Sequence, residues 1–160
     1  ADRNEIVSQL PGLKKKILYF KDYAEMTIND LFTEEEVAGA TVLQSNMLSS
    51  SVWINHEGTF TRESLPWELQ LSPIYAIKCL DRPDGTKDIF FGGNQYLVKP
   101  QFGRFDALPL SIWHIDKSQR WVEQTGRFSQ IRAIETIEIG NKTYVFTAST
   151  DDEVEVFKYN

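Results

Sequence analysis

Residues 136–146 read TIEIGNKTYVF, the clearest hairpin pattern in the chain. Apolar and polar side chains alternate on both sides of Gly140-Asn141. Such alternation gives a strand one buried face and one solvated face, and a Gly-Asn pair suits the backbone of a tight hairpin turn. Residues 154–157, VEVF, alternate in the same way after Asp151-Asp152. The sequence therefore predicts an antiparallel hairpin followed by a further strand.

Short β-prone runs of this kind fill the chain from residue 41 onwards. Turn signals separate them, and no helix-length periodic segment interrupts the series, which argues against a parallel sheet built from βαβ units. The candidate strands are Thr41–Gln44, Ser51–Asn55, Phe60–Ser64, Ile74–Leu80, Asp88–Phe91, Ser111–Ile115, Trp121–Gln124, Ile131–Ile139, Thr143–Ala148 and Glu153–Tyr159. The expected fold class is mainly β, with antiparallel meanders.

The first 40 residues have a different pattern, in which apolar side chains recur at intervals of three and four, as on one side of a helix. Pro11-Gly12 breaks this segment, and Thr27 with Asp30 and Thr33 with Glu36 form capping-box patterns. We predict a helical lead-in over residues 1–40 and an antiparallel β region over residues 41–160, together forming one structural unit.

Composition limits the classes of function. The 160 residues include 41% hydrophobic and 25% charged residues, which excludes wholesale disorder. A net charge of −6 argues against a nucleic-acid partner. No apolar stretch approaches the roughly 20 residues that span a bilayer, so no membrane insertion is expected. The single cysteine, Cys79, lies in an apolar run and is predicted to be buried.

Two fragments of the middle region are more specific. Residues 52–61 read VWINHEGTFT, and residues 77–94 read IKCLDRPDGTKDIFFGGN. Together they resemble the FG-GAP (VCBS) repeat of integrin-α-like β-propellers, where a Gly-Thr-Phe hairpin precedes a blade with an Asp-rich loop. Residues 69–107 look similar to the final blades of exported, bacteroidete-type members. The resemblance implies a partial β-propeller of four-stranded blades and an exported protein.

Ten candidate strands make two to three blades, whereas a closed propeller has about four to eight. The chain should therefore not close a ring by itself. We expect the open sheet face to be covered by upstream blades, by the N-terminal helices of the same chain, or by a second copy in a homo-oligomer.

The resemblance implies a calcium site in the Asp-rich loop, where alternate carboxylates in the family can surround a hard cation. The candidates are Asp81, Asp84 and Asp88, but Arg82 and Lys87 stand beside them and would repel a cation. We therefore expect no cofactor. A calcium-dependent adhesion module stays an alternative that an effect of EDTA on the melting temperature would reveal.

Binding residues are expected in residues 94–106, a long aromatic segment between strands. The candidates are Asn94, Tyr96, Lys99, Phe102, Arg104 and Asp106. In this interpretation Tyr96 and Phe102 offer flat contacts and Arg104 a polar anchor; alternatively, Arg104 and Asp106 pair internally and brace the loop.

Neither histidine, His56 or His114, lies in a recognisable nucleophile setting. The sequence therefore favours a non-catalytic module that acts structurally or by protein or glycan contacts. The alternative is a carbohydrate-active or other hydrolase that uses acidic residues such as Asp106, Asp151 and Asp152.

Overall fold

The computed structural model describes residues 2–116 and 119–159. It divides the chain into two compact units, Ala1–Asn46 and Met47–Asn160. The expectation of a single structural unit with a boundary at residue 40 stays a prediction.

The first unit consists of short helices. They are α1 (Arg3–Gln9), a 3-10 helix (Pro11–Lys15), α2 (Phe20–Glu25), α3 (Ile28–Leu31) and α4 (Glu34–Ala38). Pro11 opens the 3-10 helix just after α1, so the predicted break is confirmed. Both predicted capping boxes form, at the start of α3 and of α4. Leu13, Ile17 and Leu31 are the buried core of this unit. In the described part of the chain, no helix has the length and apolar character needed to cross a membrane.

The predicted strand Thr41–Gln44 is wrong, because these residues have no regular secondary structure. Val42 is 84% exposed and Leu43 is 90% exposed. A β-prone segment forms a strand only where a partner accepts its hydrogen bonds. No strand of the described residues pairs with this segment.

The second unit is built from antiparallel strands. They are β1 (Ser51–His56), β2 (Thr59–Ser64), β3 (Ile74–Asp81), β4 (Lys87–Gly93), β5 (Ser111–Ile115), β6 (Arg120–Gln124), β7 (Ile131–Glu138), β8 (Thr143–Ser149) and β9 (Glu155–Tyr159). Within the described ranges they form a two-stranded sheet β1-β2, a four-stranded sheet β3-β4-β5-β6 and a three-stranded sheet β7-β8-β9. The expected mainly β, antiparallel fold class is confirmed, and the four-stranded meander of a blade occurs once.

The hairpin predicted over residues 136–146 is confirmed. Ile137 pairs with Tyr144 across β7 and β8. The turn residues Gly140 and Asn141 have φ angles of 55° and 62°, the left-handed conformation that glycine and asparagine adopt at least cost.

Both faces of the four-stranded sheet carry core residues, and adjacent residues of a strand point to opposite faces. On one face Phe90 packs in a core with Ile134 and Val145 of the three-stranded sheet. On the other face Phe91 packs with Leu65 and Leu69, which follow the first hairpin. Burying one such side chain contributes roughly 1.5–3 kcal/mol, so these two layers hold the unit together.

Cys79 was predicted to be buried, and this prediction is wrong because the side chain is exposed. Ala76 of the same strand is buried, and a residue three positions away lies on the opposite face. That face is open along β3, where Ile77 is 59% exposed.

Candidate functional site

The candidate binding segment starts at Asn94, which is fully buried and has a φ of 75°. Its side-chain Nδ2 donates to the carbonyl oxygens of Leu108, at 2.8 Å, and Ser129, at 3.1 Å. Its Oδ1 accepts from the Leu108 amide at 3.0 Å. Asn94 therefore closes both ends of the loop and supports it from inside the fold.

Further hydrogen bonds fix the backbone beside Asn94. Gln95 and Phe105 form a two-way bridge, with N···O distances of 2.7 and 2.9 Å. Arg132 on β7 donates to the Asn94 carbonyl oxygen at 3.0 Å and to the Gln95 side chain at 2.9 Å. The Gln130 side chain, which is buried, accepts from the Tyr96 amide at 2.8 Å. The start of the loop is thus attached to two neighbouring segments of the fold.

A groove of about 410 Å³ opens beside this support. Side chains from three separate segments line it: Tyr96, Leu97, Arg104, Gln130, Thr150, Asp151 and Asp152. A volume of this size is within the range of small-molecule sites, about 300–1,000 Å³.

Arg104 lies over the Tyr96 ring in the groove lining, with its guanidinium carbon 3.8 Å from the ring centroid. Arg104 Nε is also 3.9 Å from Asp106 Oδ2, a long contact between two exposed groups that adds little stability. The cation–π contact holds a cation with several N–H donors in a defined place.

A further part of the groove lining is the turn between β8 and β9. The Thr150 amide donates to the Gln130 carbonyl oxygen at 3.0 Å, which joins this turn to the segment that holds Tyr96. Asp151 adopts a φ of 57°, and the Asp152 carboxylate accepts from the Glu153 amide at 2.9 Å. Asp151 and Asp152 therefore line the groove from a turn that is joined to the segment that holds Tyr96.

The structure brings together two of the six residues expected to bind. Tyr96 and Arg104 line the groove, whereas Asn94 is part of its buried support. Asp106 contacts Arg104 but does not line the groove. Lys99 and Phe102, at the start and the end of the 3-10 helix Pro100–Phe102, are exposed and do not line the groove either. Gln130 and Thr150 were missed, because nothing in the sequence places them beside residue 96.

The carboxylates proposed for calcium have separate partners. Asp81 pairs with Lys87, and Asp84 Oδ1 accepts from the Thr86 amide and hydroxyl at 2.9 and 2.6 Å. Asp88 points into the fold, where it is 2% exposed. Among the residues described, no group of three or more His, Cys, Asp or Glu side chains could hold a metal ion.

Asp88 is the centre of a buried polar network. Its Oδ1 lies 2.6 Å from His114 Nδ1, and its Oδ2 accepts from the Tyr159 hydroxyl at 2.8 Å and from Arg82 Nε. Arg82 also donates to the Tyr159 oxygen at 2.6 Å. On its other side, His114 Nε2 is 3.3 Å from Glu123 Oε2.

This network joins the three-stranded sheet to the four-stranded one, since Tyr159 is on β9 and its partners follow or lie within β3, β4 and β5. Every polar atom that would be needed for acid–base chemistry is occupied by a neighbour, so the arrangement is suited to holding strands together. The sequence contained a signal for it: Asp88 and His114 lie two positions from Phe90 and Ile112, on the inward face of their strands.

Replacing Tyr159 by Phe is expected to weaken the fold and to change its response to alkali. Burial, together with the hydrogen bond to Asp88, raises the pKa of Tyr159 to about 12, against the opposite influence of Arg82. An unfolded tyrosine has a pKa of about 10. The folded chain therefore binds this proton more tightly than the unfolded chain does. The stabilisation that results is complete below pH 10 and is lost as the pH rises towards 12.

The test is chemical denaturation of the wild type and Tyr159→Phe at several pH values from 8 to 12. We expect the difference in free energy of unfolding between them to narrow above pH 10. Tyr75→Phe, at a position that is 51% exposed, removes a tyrosine hydroxyl outside the network and is the control. A constant difference between wild type and Tyr159→Phe across this range would contradict the assignment.

No protein-family model, curated protein or solved structure matches this chain. The resemblance to FG-GAP repeats therefore stays a prediction.

Proposed function

We propose that the chain is a non-catalytic recognition module that binds its ligand in the groove between Tyr96, Arg104 and the turn Thr150–Asp152. The observation that carries this proposal is the contact between Arg104 and Tyr96, 3.8 Å from guanidinium carbon to ring centroid, on a wall attached to the buried Asn94 and Gln130. A binding group that is ordered before the ligand arrives loses little conformational entropy on binding.

The distribution of polar groups supports recognition over catalysis. Asp88 and His114, which could otherwise form a catalytic pair, are 2% and 5% exposed and bonded to each other, away from the groove lining. In the groove, Arg104 donates and the carboxylates of Asp151 and Asp152 accept, which is an arrangement for orienting a polar ligand.

We further propose that this module is the end of an exported FG-GAP-like propeller, with upstream blades or a second copy over its open faces. Exposed apolar residues on the outermost sheets support this proposal. Trp53 and Phe60 on the first hairpin are 55% and 59% exposed, and Ile137 and Val156 on the last sheet are 46% and 50% exposed. Export itself is proposed from the family resemblance alone.

A hydrolase is the second candidate, because Asp151 and Asp152 line the same groove as Tyr96. Glycoside hydrolysis requires two carboxyl groups on either side of the scissile bond. Adjacent residues in one turn lie on the same side of the groove, so this candidate is the weaker one.

The experiment is a binding screen of the wild-type chain on a glycan array and on a displayed random-peptide library. For any probe retained, we expect Tyr96→Ala and Arg104→Ala each to reduce affinity at least about tenfold, which corresponds to 1.4 kcal/mol. The matched control is Phe102→Ala, which removes an exposed aromatic side chain of the same loop outside the groove and should leave the affinity unchanged.

Two results would overturn the proposal. One is an equal loss of affinity in Phe102→Ala and Tyr96→Ala, which would place binding elsewhere on the loop. The other is turnover of a retained glycan that Asp151→Asn or Asp152→Asn abolishes, which would establish the hydrolase.

A further inference from the structure

We propose that the ligand of this groove is a neutral carbohydrate, recognised through adjacent hydroxyl groups of one sugar ring. This inference rests on the proposed function and names its ligand class. It follows from how donors, acceptors and apolar surface are distributed among the lining residues.

The residues that line the groove include both hydrogen-bond donors and acceptors. Arg104 can only donate hydrogen bonds, the carboxylates of Asp151 and Asp152 can only accept them, and the Thr150 hydroxyl can do both. A sugar hydroxyl donates and accepts at the same time. A ring with neighbouring hydroxyl groups can therefore donate to the Asp151–Asp152 turn and accept from Arg104 in one pose.

The charges disfavour an anionic ligand. An anion would have to approach Arg104 next to Asp106, whose Oδ2 is 3.9 Å from Arg104 Nε, and in front of Asp151 and Asp152. A neutral polar ligand avoids this repulsion.

Apolar surface is also present at the right place. The Tyr96 ring lies in the lining, and the neighbouring Leu97 side chain is 78% exposed. The C–H faces of a sugar ring are apolar, and they gain from contact with such side chains while the hydroxyl edges reach the polar groups.

The experiment titrates the isotope-labelled full chain with neutral oligosaccharides of glucose, mannose and galactose, observed by amide NMR. The comparison ligands are the corresponding uronic acids and amino sugars. We expect a neutral sugar to shift the amide signals of residues 96, 104 and 150–152, and to bind at least about tenfold more tightly than its uronic acid. Its dissociation constant should change less than about twofold between 0.05 and 0.5 M NaCl, because salt screens only charged pairs.

The variants separate this inference from the proposed function. Arg104→Lys keeps the charge but not the planar donor group, so we expect it to weaken the neutral sugar about as much as Arg104→Ala. The uronic acid, the amino sugar or a library peptide could bind more tightly than the neutral sugar and still lose affinity in Tyr96→Ala. That result would overturn the inference of a neutral carbohydrate but would agree with the proposed recognition groove. Sugar binding that Tyr96→Ala does not weaken would overturn both the carbohydrate inference and the proposed function. The absence of binding by any of the probes would also overturn both.

Discussion

Replacing Asp88 by Ala is expected to lower the free energy of unfolding by about 1–3 kcal/mol, the cost of leaving buried hydrogen-bonding groups without their partner. Asp88 is 2% exposed and compensates Arg82, while it also accepts hydrogen bonds from His114 and Tyr159. In the alanine variant all three partners lose their common acceptor inside the fold. Their desolvation remains, and nothing in the network replaces the lost interactions.

Urea denaturation, followed by tryptophan fluorescence, measures this effect. Asp88→Asn keeps the size of the side chain but removes its charge, so we expect a loss between those of the wild type and Asp88→Ala. The matched control is Asp81→Ala, seven positions earlier, whose side chain is 76% exposed in its pair with Lys87 and which should hardly move the unfolding midpoint. Similar midpoints for Asp88→Ala and Asp81→Ala would show that the network does not hold the sheets together.

The strands of the second unit were predictable because each one is specified by its own residues. Alternation in β7 and β8 and the Gly140-Asn141 turn fix a local hairpin without reference to the rest of the chain. Thr41–Gln44 has the same composition as a strand but has no partner among the described residues. The error was therefore one of tertiary context, which propensity does not contain.

Burial was harder to predict than strand position. Cys79 and Ala76 lie in one apolar run, yet only Ala76 faces the core. A run that is apolar on both sides does not say which of its two faces will be covered. The burial of Asp88 was not predicted either. Asp88 is a charged residue on the inward face of its strand, and the partners that compensate it come from distant segments of the chain.

The groove was half predictable. Tyr96 and Arg104 stood out because aromatic and charged residues are concentrated in one loop. Gln130 and Thr150 join them only through the hydrogen bonds that bring three segments together. Asp151 and Asp152 were noticed as acids but not as neighbours of Tyr96. Contacts across such sequence distances depend on how the sheets stack, and alternation within a strand carries no information about that.

Replacing Gly93 by Ala is expected to destabilise the second unit by at least about 3 kcal/mol, at the upper end of the cost of overpacking. A Cβ atom at this position would lie 1.9 Å from the Pro73 carbonyl oxygen and 2.9 Å from the Pro73 carbonyl carbon. Both are backbone atoms, so no side-chain rotation can relieve the clash. Pro73 cannot simply withdraw, because its oxygen accepts from the Asn94 amide at 3.0 Å.

The damage should extend to binding, because Asn94 follows directly and anchors the groove. A graded series keeps the prediction testable if Gly93→Ala does not fold. At Gly92 the atoms nearest to a Cβ would be those of the Ile131 side chain, from 2.5 Å, so Gly92→Ala should lower the stability less than Gly93→Ala. At Gly12, in the first unit, a Cβ would meet nothing within 4 Å. We expect stability and groove binding to fall in the order Gly12→Ala, Gly92→Ala, Gly93→Ala, as measured by denaturation and by NMR titration. If Gly93→Ala were as stable as Gly12→Ala, β3 and β4 would be able to separate at this point without a loss of stability. The anchoring of the groove by Asn94 would then be contradicted.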